Sequence, residues 1–151
     1  MKKLLIIDGP NLNLLGKRQP HIYGTDNTQT MLHTVRQAVP AEQYSIDYFQ
    51  SNHEGTIIDR IHAAADDHET AGIILNAGAY THTSLAIADA IAAIDVPVVE
   101  VHISNVHARS EQIRHTSLIA PVCRGTITGF GIDSYVLAAI ALMRPEKQAR
   151  R

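Results

Sequence analysis

Three short, nearly unbroken apolar runs do most to limit what this chain can fold into: Leu4-Leu5-Ile6-Ile7, Ile73-Ile74-Leu75 and Val98-Val99-Glu100-Val101. A strand with one face in water alternates apolar and polar residues. Runs as continuous as these belong to strands covered on both faces, as in parallel sheets flanked by helices. The segments between them carry helical spacing. Leu32, Val35 and Val39 share one face, as do Ile57, Ile61 and Ala65; Ile87, Ile91 and Ile94 repeat the pattern, and so do Val136, Ile140 and Met143. Tyr44 to Gln50 reads as a less buried strand near an edge, and Thr126 to Phe130 as a weaker fifth strand. Strands alternating with helices predict βαβ units in a three-layer α/β sandwich. Right-handed crossovers make 2-1-3-4-5 the expected order of a five-stranded parallel sheet.

The length of 151 residues fits a single domain, 1–151, large enough for a core without staples. One cysteine, Cys123, cannot form an internal disulfide and reads as a small buried apolar residue. Only four apolar residues, Leu4 to Ile7, lie between Met1-Lys2-Lys3 and the interruption at Asp8, Gly9 and Pro10, a run too short for a signal or a membrane span. The expectation is a soluble cytoplasmic protein with no membrane partner. A formal charge of −2 offers no footprint for nucleic acid, and the basic tail Lys147, Arg150, Arg151 reads as a solvated end.

In open parallel sheets, ligands bind beyond the carboxyl ends of the strands. Those ends here carry Asp8-Gly9-Pro10-Asn11, Gln50-Ser51-Asn52-His53-Glu54, Asn76-Ala77-Gly78, Glu100-Val101-His102-Ile103-Ser104 and Gly129-Phe130-Gly131. Loops are polar in any fold, and Asn and Gly build turns, but turn chemistry does not account for Glu100 inside an apolar strand. A buried carboxylate needs a partner. Positions 100 and 102 point to the same face of a strand, so Glu100 can orient or charge the His102 imidazole, an arrangement that suits a general acid. A purely structural Glu–His pair has the same spacing.

The segment from Gly9 to Gly24 is too long for an ordinary strand-to-helix turn. It carries Asn11, Asn13, Lys17, Arg18 and Tyr23, as a lid would. A tyrosine ionises near pH 10 unless a cation lies beside it, so Arg18 near Tyr23 could make a reactive phenol. Alone, a tyrosine such as Tyr23 is more often a packing residue.

Four motifs then resemble one family. Gly9-Pro10-Asn11-Leu12-Asn13-Leu14-Leu15-Gly16, with Arg18 and Tyr23-Gly24, is similar to the N-terminal signature of type II 3-dehydroquinate dehydratases. Gln50-Ser51-Asn52-His53-Glu54-Gly55 resembles the second motif, Asn76 to Ser84 the third, and Glu100-Val101-His102-Ile103-Ser104-Asn105 the fourth. They follow the family's order over nearly the whole chain.

The resemblance implies a flavodoxin-like fold, a homododecamer built as a tetramer of trimers, and no cofactor or metal. It implies anti elimination of water from the substrate 3-dehydroquinate through an enolate, giving 3-dehydroshikimate in the shikimate pathway of aromatic amino-acid biosynthesis. By match to the motifs, Tyr23 is the base, Arg18 keeps that phenol reactive, and Asn11 holds a water at the enolate oxygen. His102 is the acid for the departing hydroxyl, with Glu100 as its partner. Asn76 and the backbone of Ile103 and Ser104 form a carboxylate cradle. His82 and Arg114 contact substrate hydroxyls, and Asp89 reaches the site of a neighbouring subunit. One departure stands out: Arg109 and Arg114 are five apart where the family has four, and Ile113 occupies the expected aromatic position. A one-residue insertion aligns Arg114 with the functional arginine.

Two other readings draw on the same residues. A flavodoxin-like binding or signalling module could hold a flavin phosphate after the first strand or use Asp8 as a phosphoacceptor. That loop lacks dense Ser/Thr, however, and the chain has no tryptophan. A metal hydrolase would use some of the nine histidines, but His102 and His107 do not have the helical i, i+4 spacing.

Overall fold

The computed structural model describes residues 1–23 and 25–145, the side chain of Tyr23 excepted. The basic tail at Lys147, Arg150 and Arg151 therefore lies outside the described residues, as does Gly24. In chain order the main elements are β1 (Lys2–Asp8), α1 (Pro20–Tyr23), α2 (Thr28–Ala38), β2 (Tyr44–Gln50), α3 (Glu54–Asp66), β3 (Thr70–Asn76), α4 (Leu85–Ala92), β4 (Val98–His102), β5 (Gly125–Thr128) and α5 (Asp133–Met143).

The strands form one parallel sheet in the order β2-β1-β3-β4-β5, as the crossover rules predict. Alternate residues of the central strands feed two separate cores. Leu4, Ile6, Ile74, Val99 and Val101 pack under α2 and α5. Leu5, Ile7, Ile73, Leu75 and Val98 pack under α3 and α4. The unbroken apolar runs thus have a direct cause, since both faces of each strand are roofed. Two helices start on side-chain caps: the Asn27 carbonyl oxygen accepts from Thr30 N at 2.9 Å, and Ser84 Oγ accepts from Ile87 N at 2.9 Å.

The structure corrects three details. In α5 the core face is Tyr135, Ala138, Ala139 and Leu142, whereas Ile140 is exposed and Val136 and Met143 only edge the core. This helix is apolar nearly all round, so more than one stripe has helical spacing; the alanine face is the one that lets the helix approach the sheet closely. In α3 it is Ala64, not Ala65, that completes the stripe of Ile57 and Ile61. Strand β5 ends at Thr128 rather than Phe130, because Gly129 adopts φ +96° and turns the chain away. Phe130 is left exposed.

Among the described residues, no helix is long and apolar enough to cross a membrane.

Candidate functional site

The carboxyl ends of β1, β3 and β4 meet where two loops approach as closely as backbone allows. A Cβ on Gly9 would sit 2.6 Å from the Ala77 carbonyl oxygen, so only glycine fits there. The long loop after β1 is also less free than a lid. Residues Leu12–Leu14 form a 3-10 turn, and Leu12 and Leu15 are buried in the α2–α5 core. Asn11 opens that turn in the left-handed region, φ 69°, which asparagine tolerates better than most residues. Its backbone N–H donates to Asn52 Oδ1 at 3.0 Å. Gln50 Nε2 donates to Gly9 O and to the same Asn52 oxygen. The second sequence motif therefore braces the first.

One cleft opens above these strand ends. Asn11, Arg18, Asn76 and His82 line it, together with His102, Ile103, Ser104 and both Arg109 and Arg114. Eight residues that the family resemblance singled out are thus gathered from four separate segments. Glu100 stands directly behind His102. Its Oε2 accepts from His102 Nε2 at 2.5 Å, and both side chains are buried. The carboxylate fixes the ring's orientation and places a proton on Nε2, which leaves Nδ1 as the nitrogen that can take up and release a proton. His82 is oriented similarly: its Nδ1 donates to the Thr116 carbonyl at 2.8 Å. The two imidazoles stack with centroids 6.4 Å apart.

The stretch that leads from Arg109 to Arg114 runs into a 3-10 turn, Gln112–His115. Glu111 sits between the two arginines, 3.9 Å from Arg109 Nε and 3.7 Å from Arg114 Nε. Both guanidinium side chains therefore belong to the cleft wall, and Ile113 points to solvent. Tyr23 closes the helical turn α1, and its side chain lies outside the described residues. Asp89 is exposed on α4 and does not line this chain's cleft. Cys123 is half-buried among apolar neighbours. Burial, aided by the Glu100 carboxylate, pushes its thiol up to about 12, so it carries no thiolate chemistry. Among the described residues, no group of three or more His, Cys, Asp or Glu side chains is placed to hold a metal ion.

Several participants carry no sequence signal of their own. Ser117 Oγ donates to Glu100 Oε1 at 2.8 Å, so the carboxylate is held at both oxygens. On the other face of the sheet, Asp8 is fully buried and accepts from two phenols, Tyr135 at 2.7 Å and Tyr48 at 2.9 Å. The Tyr135 oxygen in turn accepts from Asn76 Nδ2 at 3.0 Å. Burial pushes the Asp8 carboxyl up to about 6 despite both hydrogen bonds and raises the Tyr135 phenol well above its ordinary value. A carboxylate enclosed in this way has no exposed oxygen to accept a phosphoryl group, which removes the phosphoacceptor reading of Asp8.

The model of the family described as dehydroquinase class II matches residues 2–143. A 3-dehydroquinate dehydratase from Caldicellulosiruptor bescii is 54% identical over 142 residues, 94% of this chain and 97% of that protein. A protein of the same name from Bacillus cereus is 53% identical over 149 residues, 99% of this chain and all of its own length, 100%. The fold is similar to that of the type II dehydroquinase from Butyrivibrio crossotus, with a TM-score of 0.89 and 44% identity, covering 95% of this chain and 98% of that one.

Proposed function

The chain belongs to the dehydroquinase class II family, and from that premise we infer that it is a 3-dehydroquinate dehydratase, a hydro-lyase that removes water from 3-dehydroquinate to give 3-dehydroshikimate. The observation that carries the mechanism is the cleft in which the Glu100–His102 pair, Asn11, Asn76 and the guanidiniums converge. Removing a proton beside a ketone needs a base, a stabiliser for the enolate oxygen and an acid for the leaving oxygen. Tyr23 takes the proton from C2, with Arg18 keeping the phenol reactive. Asn11 holds a water at the enolate oxygen. His102, oriented by Glu100, gives a proton to the departing C1 hydroxyl.

Asn76 and the N–H groups of Ile103 and Ser104 receive the substrate carboxylate. His82 and Arg114 bind ring hydroxyls, with Arg109 on the same wall. Every step is served by side chains and backbone of the protein, and we assign the reaction no cofactor. The exposed position of Asp89 on α4 supports its assignment to the site of a neighbouring subunit, in a homododecamer of four trimers. The chain acts as one cytoplasmic catalytic domain.

Direct assay tests the reading. Purified protein mixed with 3-dehydroquinate generates the absorbance of a conjugated enone, and a flat trace would overturn the assignment. A pH–rate series on Arg18→Ala tests the base. Its deficit shrinks as pH rises, because hydroxide then supplies the phenolate unaided. A deficit constant at every pH would reduce Arg18 to a binding contact.

A further inference from the structure

Asn76 reaches the cleft from the β1–β3 side of the sheet, and its amide has two possible orientations that differ only in which end carries the donors. Two neighbours decide between them. Gly78 N donates at 3.2 Å to the near end of the amide, and a backbone N–H cannot reverse, so that end must be Oδ1. The other end, Nδ2, donates to the Tyr135 oxygen at 3.0 Å, in a contact buried from solvent. Tyr135 can accept there only while its own proton is used elsewhere, and that proton goes to Asp8 Oδ1 at 2.7 Å. Asp8 completes the chain as an acceptor on both oxygens, the second taken by Tyr48.

We propose that Asp8 and Tyr135 are positioning residues that fix the polarity of the Asn76 amide, so that Asn76 offers the cleft an N–H donor and selects a substrate bearing an anionic group. The inference rests on the assignment of Asn76 to the substrate carboxylate. Each hydrogen bond in the line has one workable direction: Gly78 N fixes the amide from one end, and Asp8, the acceptor at the base, fixes it from the other through Tyr135. If Asp8 gains a proton or is lost, Tyr135 turns its hydroxyl to the amide. Asn76 then faces a choice between an unpaired donor at Tyr135 and a donor–donor clash at Gly78. Tyr48 on β2 and Tyr135 on α5 are the titratable groups that face Asp8, and burial holds both phenols neutral.

The test is Tyr135→Phe, which deletes the hydroxyl and keeps the ring. KM for 3-dehydroquinate rises about tenfold or more, the scale of a hydrogen bond to a charged group, while kcat changes far less. Calorimetric titration with quinate and with quinate methyl ester reads the same point without turnover: wild type prefers the acid, and the variant loses most of that preference. Asp8→Asn, which can still turn an amide oxygen to Tyr135, raises KM by less than Tyr135→Phe. It also removes the part of the wild-type KM rise that sets in below about pH 6. If Tyr135→Phe does not fold, this pH comparison alone decides. Unchanged KM and unchanged acid preference in Tyr135→Phe, or parallel KM–pH profiles for wild type and Asp8→Asn, would overturn the proposal. A wild type that binds quinate but turns nothing over overturns the catalytic assignment and leaves the acid-to-ester comparison to judge this one. A wild type that does neither overturns both.

Discussion

Two carboxylates lie buried at the same edge of the sheet, on opposite faces, and their partners differ. Asp8, under α2 and α5, is held by two phenols that remain neutral. Glu100, on the α3–α4 face, is held by an imidazole and a hydroxyl. An imidazole can take up or release a proton near neutral pH, whereas a buried phenol cannot. The Glu100 face therefore carries, in the His102 imidazole, a group suited to exchanging a proton near neutral pH, while the two phenols of the Asp8 face can only set the direction of hydrogen bonds. The same residue chemistry does different work because of what donates to it.

His102→Ala breaks the contrast most directly. It removes the proton carrier of one face, and kcat falls by roughly 10²–10⁴-fold, the usual contribution of a positioned general acid. Single-turnover enone formation checks this, and a near-normal rate would take His102 out of the acid role.

The Asp8 face shows itself in stability. Burial raises its carboxyl from 3.8 to about 6, so the folded protein holds that proton more tightly than the unfolded chain does. The stability contributed by this group is fully present below about pH 4 and is lost as pH rises through about 6, an effect on the order of 3 kcal/mol. Asp8→Asn cannot ionise, so urea melts across this window should show a shallower dependence on pH than wild type. Equal slopes would mean that Asp8 is not the group that titrates.

Glu100→Gln keeps the shape of the pair and removes the charge. The orienting partner of a functional histidine is worth about ten- to a hundredfold in activity, and the loss should appear in kcat rather than in KM. If KM alone moved, the two faces would be alike. The smallest expected effect is that of Ser117→Ala. It deletes one hydrogen bond to a charged oxygen, costs roughly 1–2 kcal/mol in a thermal melt, and lowers kcat by less than Glu100→Gln. A larger kcat loss than that of Glu100→Gln would make Ser117, not the carboxylate, the element that orients His102.

The apolar runs at 4–7, 73–75 and 98–101 determined the doubly covered parallel strands, because local pattern and burial of both faces say the same thing in those segments. Glu100 and His102 were legible for a related reason: a charge in a covered strand needs a partner, and a two-residue spacing supplies one on the same face. The clustering of Asn11, Arg18, Asn76 and Arg114 followed from motif resemblance combined with the strand-end rule. What only the tertiary structure decided involves contacts between distant segments. In α5 helical spacing alone pointed to Val136, Ile140 and Met143, but Ala138 and Leu142 are apolar as well, and the approach to the sheet selected the alanine side. Ser117 meets Glu100 across 17 residues, and Tyr135 meets Asp8 across 127. Neither spacing has a period, since no local geometry relates residues so far apart. Only the closing of helix onto sheet brings a phenol to a carboxylate, and with it sets the direction in which Asn76 points its donors.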